Sequence, residues 1–228
     1  MKFQSILAAG VLLLSNSLFA SVLTLTPGPS NIEGVNIAAS ATGTIEGRTL
    51  PQLSHVSASL REKWVPFPKN IYVAQLLVSD YQKFCSSFST NPLAAVDNVS
   101  TIALVAKFVW QVTVDQLFSG FKDSFAPNAN NIDLSVPSIN EFMDEVQAGG
   151  GVLAGQSFTI VGEKLTDGTE ALTYENPLGK IGKEGKGNSI HGPSGLIKSV
   201  LSIWLGKPAA GDKGLATTIK NLTTCGVN

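Results

Sequence analysis

Val56, Ala58 and Leu60 alternate with Ser57, Ser59 and Arg61, the period-two pattern of a strand with one face buried. Residues 71–78 are nearly continuous apolar sequence, as expected of a strand covered on both faces. Between them Pro66 and Pro68 cannot donate to a central ladder, so two strands joined by a turn are expected over 56–80. If Leu60 points to the core, Arg61 and Lys63 point outward, and the pattern alone reads Arg61 as a surface cation. Residues 101–110 form a third β run, with Lys107 near its end.

At Thr113 the period changes. Thr113 can cap a helix, and Val114, Leu117, Phe121 and Phe125 recur at spacings of three and four on one face. Pro127 and the asparagines of 128–131 end it. Ser138 and Glu141 have capping-box spacing, and Ile139, Phe142, Met143 and Val146 make a second stripe that stops at Gly149. Short strands are expected over 156–161, 170–174 and 178–181, with Asp167-Gly168 as a hairpin signal and glycine-lysine turns over 179–192. Leu196, Ile197, Val200, Leu201 and Trp204 give a third helix, ended by Gly206 and Pro208. Asp212 can cap a last one carrying Leu215, Ile219 and Leu222.

Upstream, Gly43 and Gly47 suggest a hairpin within 37–50, and residues 81–98 read as a loop with a short helix after Pro92. Residues 21–33 are rich in Pro, Gly and Ser and read as a segment with one short strand at most. Strands and helices thus come in blocks. That order predicts an α+β fold with an antiparallel sheet and helices on one face, as one domain over 34–228.

Composition adds a cavity to this picture. Apolar residues are 43% and charged residues 14% of the 228, against about 25% charged in an average soluble protein. Such a chain can build a core and still line a pocket. A net charge of −1 gives no reason to expect nucleic acid or an anionic membrane surface as partner.

Residues 1–20 read as a signal peptide: Lys2, an apolar stretch over 6–14, then small and polar residues to Ala20. Export to the periplasm is expected. No stable membrane insertion is expected, because no later segment approaches the roughly 20 apolar residues a span needs. Cys85 and Cys225 are the only cysteines, and an oxidising compartment favours a disulfide between them over two buried thiols.

His55 and His191 have no partners at metal-ligand spacing, so no metal and no cofactor are expected. No G-x-S-x-G elbow is present. The lysines and glycines of 182–187 match a phosphate loop only in composition and read as a hairpin tip.

Leu60-Arg61-x-Lys63, followed by Tyr72-Val-Ala-x-Leu-Leu-Val78, resembles a block of the bacterial chalcone isomerase-like proteins. Residues 112–121 are similar to a helix of that family, Gly155-Gln-x-Phe158 to the start of its meander, and Leu201-Ser-Ile-Trp-Leu-Gly-Lys-Pro208 to its C-terminal motif. The resemblance implies an open-faced β-sandwich, with an antiparallel sheet covered by a layer of helices and a cavity between them. Arg61 matches the arginine that orients the substrate in the plant enzymes, and Lys107 lies close to their lysine. Leu117 and Ile203 stand where those enzymes have a tyrosine and a threonine.

A hydroxyl-poor pocket suits binding better than ring closure. The resemblance therefore implies a small amphipathic, fatty-acid-like ligand, with its anion on Arg61 beside Lys63, and with Tyr72, Leu117, Phe121 and Ile203 lining the cavity. One alternative is an isomerase, an intramolecular lyase using Arg61 and Lys107 as catalytic residues. The other is an envelope module with no small ligand. The sequence leaves the oligomeric state open.

Overall fold

The structure is a computed structural model that describes residues 21–64, 67–88, 91–127, 129–182, 185 and 187–225. The expected signal peptide, Pro66 and part of the 182–187 hairpin tip lie outside the described residues. Nine strands are present among the described residues: β1 (Leu23–Ile32), β2 (Val35–Ile45), β3 (Arg48–Thr49), β4 (Leu53–Trp64), β5 (Pro68–Val78), β6 (Thr101–Phe108), β7 (Ser157–Lys164), β8 (Glu170–Glu175) and β9 (Ile190–Gly192). They pair in the order β1-β2-β4-β5-β6-β7-β8-β9, with β3 on β2, and every pair is antiparallel.

The helices are α1 (Tyr81–Phe88), α2 (Pro92–Ala95), α3 (Val114–Phe125), α4 (Pro137–Ala148), α5 (Leu196–Leu205) and α6 (Lys213–Leu222). This is the α+β plan expected from the block order, an open antiparallel sheet under helices. Among the described residues, no helix is long and apolar enough to cross a membrane.

The sheet buries both faces. On one, Ala74, Leu76, Leu104, Phe108, Phe158 and Tyr174 share a core with the helices. Aromatic rings join the layers: Phe121 of α3 sits edge-on to Trp204 of α5 with centroids 5.6 Å apart, and stacks on Phe142 of α4 at 5.8 Å. On the other face, Leu77, Ala103, Val105 and Val161 form a second core with Val22 just before β1 and with Ala38, Ala41 and Ile45 of β2. β2 pairs with β4 only at Ser40 and Ala41. Beyond that point the β1–β2 hairpin folds over the sheet. Ala38 N–H donates to Gln75 Oε1 (2.8 Å), Val22 N–H to Glu175 Oε1 (3.3 Å), and Arg48 forks onto Glu163 at 3.2 Å.

Four local expectations are corrected. Residues 21–33 mostly form a full ten-residue edge strand, with register shifts at Pro27 absorbing the missing donor. Residues 81–88 are helical because Phe84 and Phe88, four apart, both bury against the core. The 138/141 capping box does not form. Pro137 starts α4 as its preset first position, with Val136 as the cap, two residues before the expected one, and Ser138 is buried inside the helix. Residues 178–181 are a turn rather than a strand. Asn176 Oδ1 accepts from Leu178 and Lys180 N–H, only one bridge (Glu175 to Ile181) remains, and the meander's third strand is β9.

Cys85 of α1 and Cys225 just past α6 are disulfide-bonded across 140 residues. On the chain-entropy account a loop this long is worth up to about 4–5 kcal/mol. The double variant Cys85→Ser/Cys225→Ser is expected to lose about 2–5 kcal/mol, read as a lower urea midpoint. An unchanged midpoint would remove the disulfide from the account of stability.

Glu145 of α4 is buried, and neither its Oε2 nor the Tyr174 hydroxyl has a hydrogen-bond partner among the described residues. Burial first, then the charge of Glu141, pushes its carboxyl up to about 8 from 4.5. The folded state then holds a proton that the unfolded chain releases above pH 4.5, so stability falls as pH rises from about 4.5 to 8. Glu145→Gln removes that dependence. The variant should be more stable than the parent by about 1–3 kcal/mol at pH 8 and equal to it at pH 4, in paired urea titrations.

Candidate functional site

The β4–β5 ladder slips at Val56. His55 pairs with Leu77 and Ser57 with Leu76, so Val56 has no partner of its own. A bulge of this kind inserts one residue and inverts the alternation after it. Ser57, Ser59 and Arg61 then stand opposite Leu76, Ala74 and Tyr72, and all three are buried on the helix side. Arg61 is only 8% exposed. The expectation of an outward-pointing Arg61 is therefore wrong: simple alternation carries Val56 and Leu60 to one face, and the bulge separates them.

Polar groups on this inner face of β4 are met by α6. Ser57 Oγ donates to the Leu222 carbonyl (2.6 Å), and Thr218 Oγ1 donates to the Leu60 carbonyl (3.1 Å). Asp212 caps α6, with one oxygen accepting from Leu215 N–H at 2.9 Å. Its other oxygen pairs with Arg61 Nη2, while Arg61 Nη1 donates to the Glu62 carbonyl. Gly214 makes this approach possible, since a Cβ there would collide with the Glu62 carbonyl and the Arg61 guanidinium.

Tyr72 is the cross-strand neighbour of Arg61, and its hydroxyl accepts from the Trp204 indole N–H (3.0 Å). Burial pushes the phenol up, against the opposing charge of Arg61, so it stays neutral at physiological pH.

Next to the Arg61–Asp212 pair lies a cavity of about 700 Å³ between β4–β5 and helices α3, α5 and α6. Tyr72, Phe108, Leu117, Phe121 and Ile203 give it apolar and aromatic walls. Arg61, Lys63 and Lys69 supply three cations, and Asp123 and Asp212 supply two acids. Lys63 and Lys69 are exposed, and the Lys69 ammonium lies 4.1 Å above the Trp110 ring. Asp212 neutralises Arg61, whereas neither Lys63 nor Lys69 has a carboxylate partner among the described residues.

Arg61, Lys63, Tyr72, Leu117, Phe121 and Ile203 are thus all brought to one cavity. Lys107 is not. It pairs with Val73 and Ser157 and shares strand parity with Val105, which belongs to the second core on the opposite face. A catalytic Lys107 acting with Arg61 is corrected on this ground: the two side chains lie on opposite faces of the sheet.

Asp212, Lys69 and Trp110 belong to the site and were not anticipated there. Asp212 is legible in sequence as a helix cap, but its second oxygen finds Arg61 only once α6 crosses β4.

No protein-family model matches the chain, and no curated protein matches it. Among solved structures it is similar to the crystal structure of a fatty-acid binding protein of Arabidopsis thaliana. That likeness has a TM-score of 0.47 at 13% identity, over 77% of this chain and 97% of that one.

Replacing Gly214 by alanine should force α6 away from β4. A cost of about 1–3 kcal/mol is expected, together with accelerated amide exchange in the first turn of α6. Exchange equal to the parent's would show that α6 tolerates the displacement.

Proposed function

We propose that the chain is a chalcone isomerase-fold binding protein that holds a small amphipathic acid, fatty-acid-like, between sheet and helices. The observation that carries this reading is the cavity itself: hydrocarbon and aromatic walls, with Arg61, Lys63 and Lys69 along one side. Its volume of about 700 Å³ falls in the range of small-molecule sites, which is roughly 300–1,000 Å³. The tail packs along Leu117, Phe121 and Ile203. The carboxylate sits against Arg61 with Lys63 beside it, competing with Asp212 for the guanidinium fork. An exported, oxidising compartment such as the periplasm is supported by the leader-like residues 1–20 and by the disulfide. No observation favours ring closure: Leu117 and Ile203 place hydrocarbon at the wall, and Lys107 faces away.

Uptake of a fluorescent C16 fatty acid (about the size such a cavity takes) by protein purified without detergent tests the reading. Arg61→Ala should weaken uptake about tenfold or more. Asp212→Asn keeps a capping oxygen, removes the competing charge, and should tighten uptake severalfold. Equal uptake by the parent and both variants, with no ligand found by native mass spectrometry, would overturn it.

A further inference from the structure

We propose that the end of the sheet around the cavity mouth docks on an anionic lipid surface. Five large apolar side chains are exposed among the described residues: Leu25, Phe67, Trp110, Leu153 and Leu178. Four of them come from separate loops at one end of the sheet, as the register shows. Trp64 pairs with Pro68, Tyr72 with Phe108, Lys107 with Ser157, and Thr159 with Glu175. The end of β4, the start of β5, the end of β6, the start of β7 and the end of β8 therefore lie together.

Phe67 directly precedes β5 and is 73% exposed; Trp110 follows β6 and is 46% exposed. Leu153 precedes β7 at 60%, and Leu178 follows β8 at 58%. At the opposite end the described residues of the β5–β6 and β7–β8 connections expose no large apolar side chain.

Cations stand among these tips. Lys63 and Lys69 flank Phe67 in sequence, and Lys180 follows Leu178 by two residues. All three are exposed and none has a carboxylate partner among the described residues. Apolar tips with an indole and lysines beside them match the boundary of an anionic bilayer, where rings enter the headgroup layer and ammonium groups meet lipid phosphates.

The cavity opens at the same place, because Lys63, Lys69 and Trp110 are part of its lining. Docking by this end sets the mouth against the lipid, so that an apolar guest passes between bilayer and cavity without crossing water. The surface is separable from the cavity reading, because Phe67, Leu153 and Leu178 do not line the cavity.

The test is flotation of the full chain with phosphatidylcholine vesicles, with and without phosphatidylglycerol, at low and high salt. Binding to the anionic vesicles should exceed binding to the neutral ones by about tenfold and fall with salt. The variant Phe67→Ser/Leu153→Ser/Leu178→Ser should lose vesicle binding about tenfold while keeping the parent's fatty-acid uptake from solution. Indole fluorescence should be quenched by brominated anionic lipid, and the quenching should fall in Trp110→Phe. No binding to anionic vesicles at low salt, or equal binding by the serine variant, would overturn the proposal. A parent dimer in sedimentation that the serine variant dissociates would also overturn it, assigning this face to a second copy of the chain. Loss of fatty-acid uptake in the parent with vesicle binding intact would sink the cavity reading alone.

Discussion

Arg61 carries a permanent charge at 8% exposure, and Asp212 is what lets it stay there. Withdrawing an ion from water costs several kcal/mol unless a partner and further hydrogen bonds meet it. Both conditions are satisfied here, by the Asp212 carboxylate and the Glu62 carbonyl. The same carboxylate caps α6, so the charge that neutralises Arg61 also starts the helix that roofs β4. Ser57 and Thr218 extend the attachment along the strand, and the Cys85–Cys225 bond holds the far end of α6 against α1. One wall of the cavity exists because this helix is held at both ends.

Polar contacts add to the buried Leu215, Ile219 and Leu222 in placing α6, whereas α3, α4 and α5 rest mainly on aromatic area. α3, α4 and α5 meet the sheet through Phe121, Phe142 and Trp204, whose rings interlock with Phe158 and Tyr174. The cavity lies where the two regimes meet. On one side are rings that leave hydrocarbon exposed to it, and on the other an ion pair with lysines beyond. That arrangement explains why the site reads as amphipathic. Tyr72 stays neutral there because burial outweighs the nearby Arg61 charge and the Trp204 indole bond, both of which pull its phenol down.

Legibility in the sequence followed the range of the forces involved. The stripes of α3, α5 and α6 and the Thr113 and Asp212 caps were readable because they depend on neighbours three or four residues away. The 178–181 strand was misread because Asn176 turns the backbone on itself. The strand within 21–33 was understated because its pairing partner and the second core it covers come from elsewhere in the chain. Net charge carries no positional information. A total of −1 says nothing of where the charges fall, and the fold gathers Lys63, Lys69 and Lys180 at one end of the sheet with four apolar tips.

By itself the sequence determined the α+β block order, the strand pair around the prolines, the helix faces and the residue types available to line a cavity. These follow from period, capping and backbone restrictions that act locally. The tertiary structure alone decided which face Arg61 occupies, because one unpaired residue at Val56 inverts the alternation from Ser57 to Arg61. It alone decided that Lys107 lies behind the sheet, and that Asp212 and Lys69 join Arg61 at the cavity. Register and helix crossing set those positions, and both are properties of how distant segments meet.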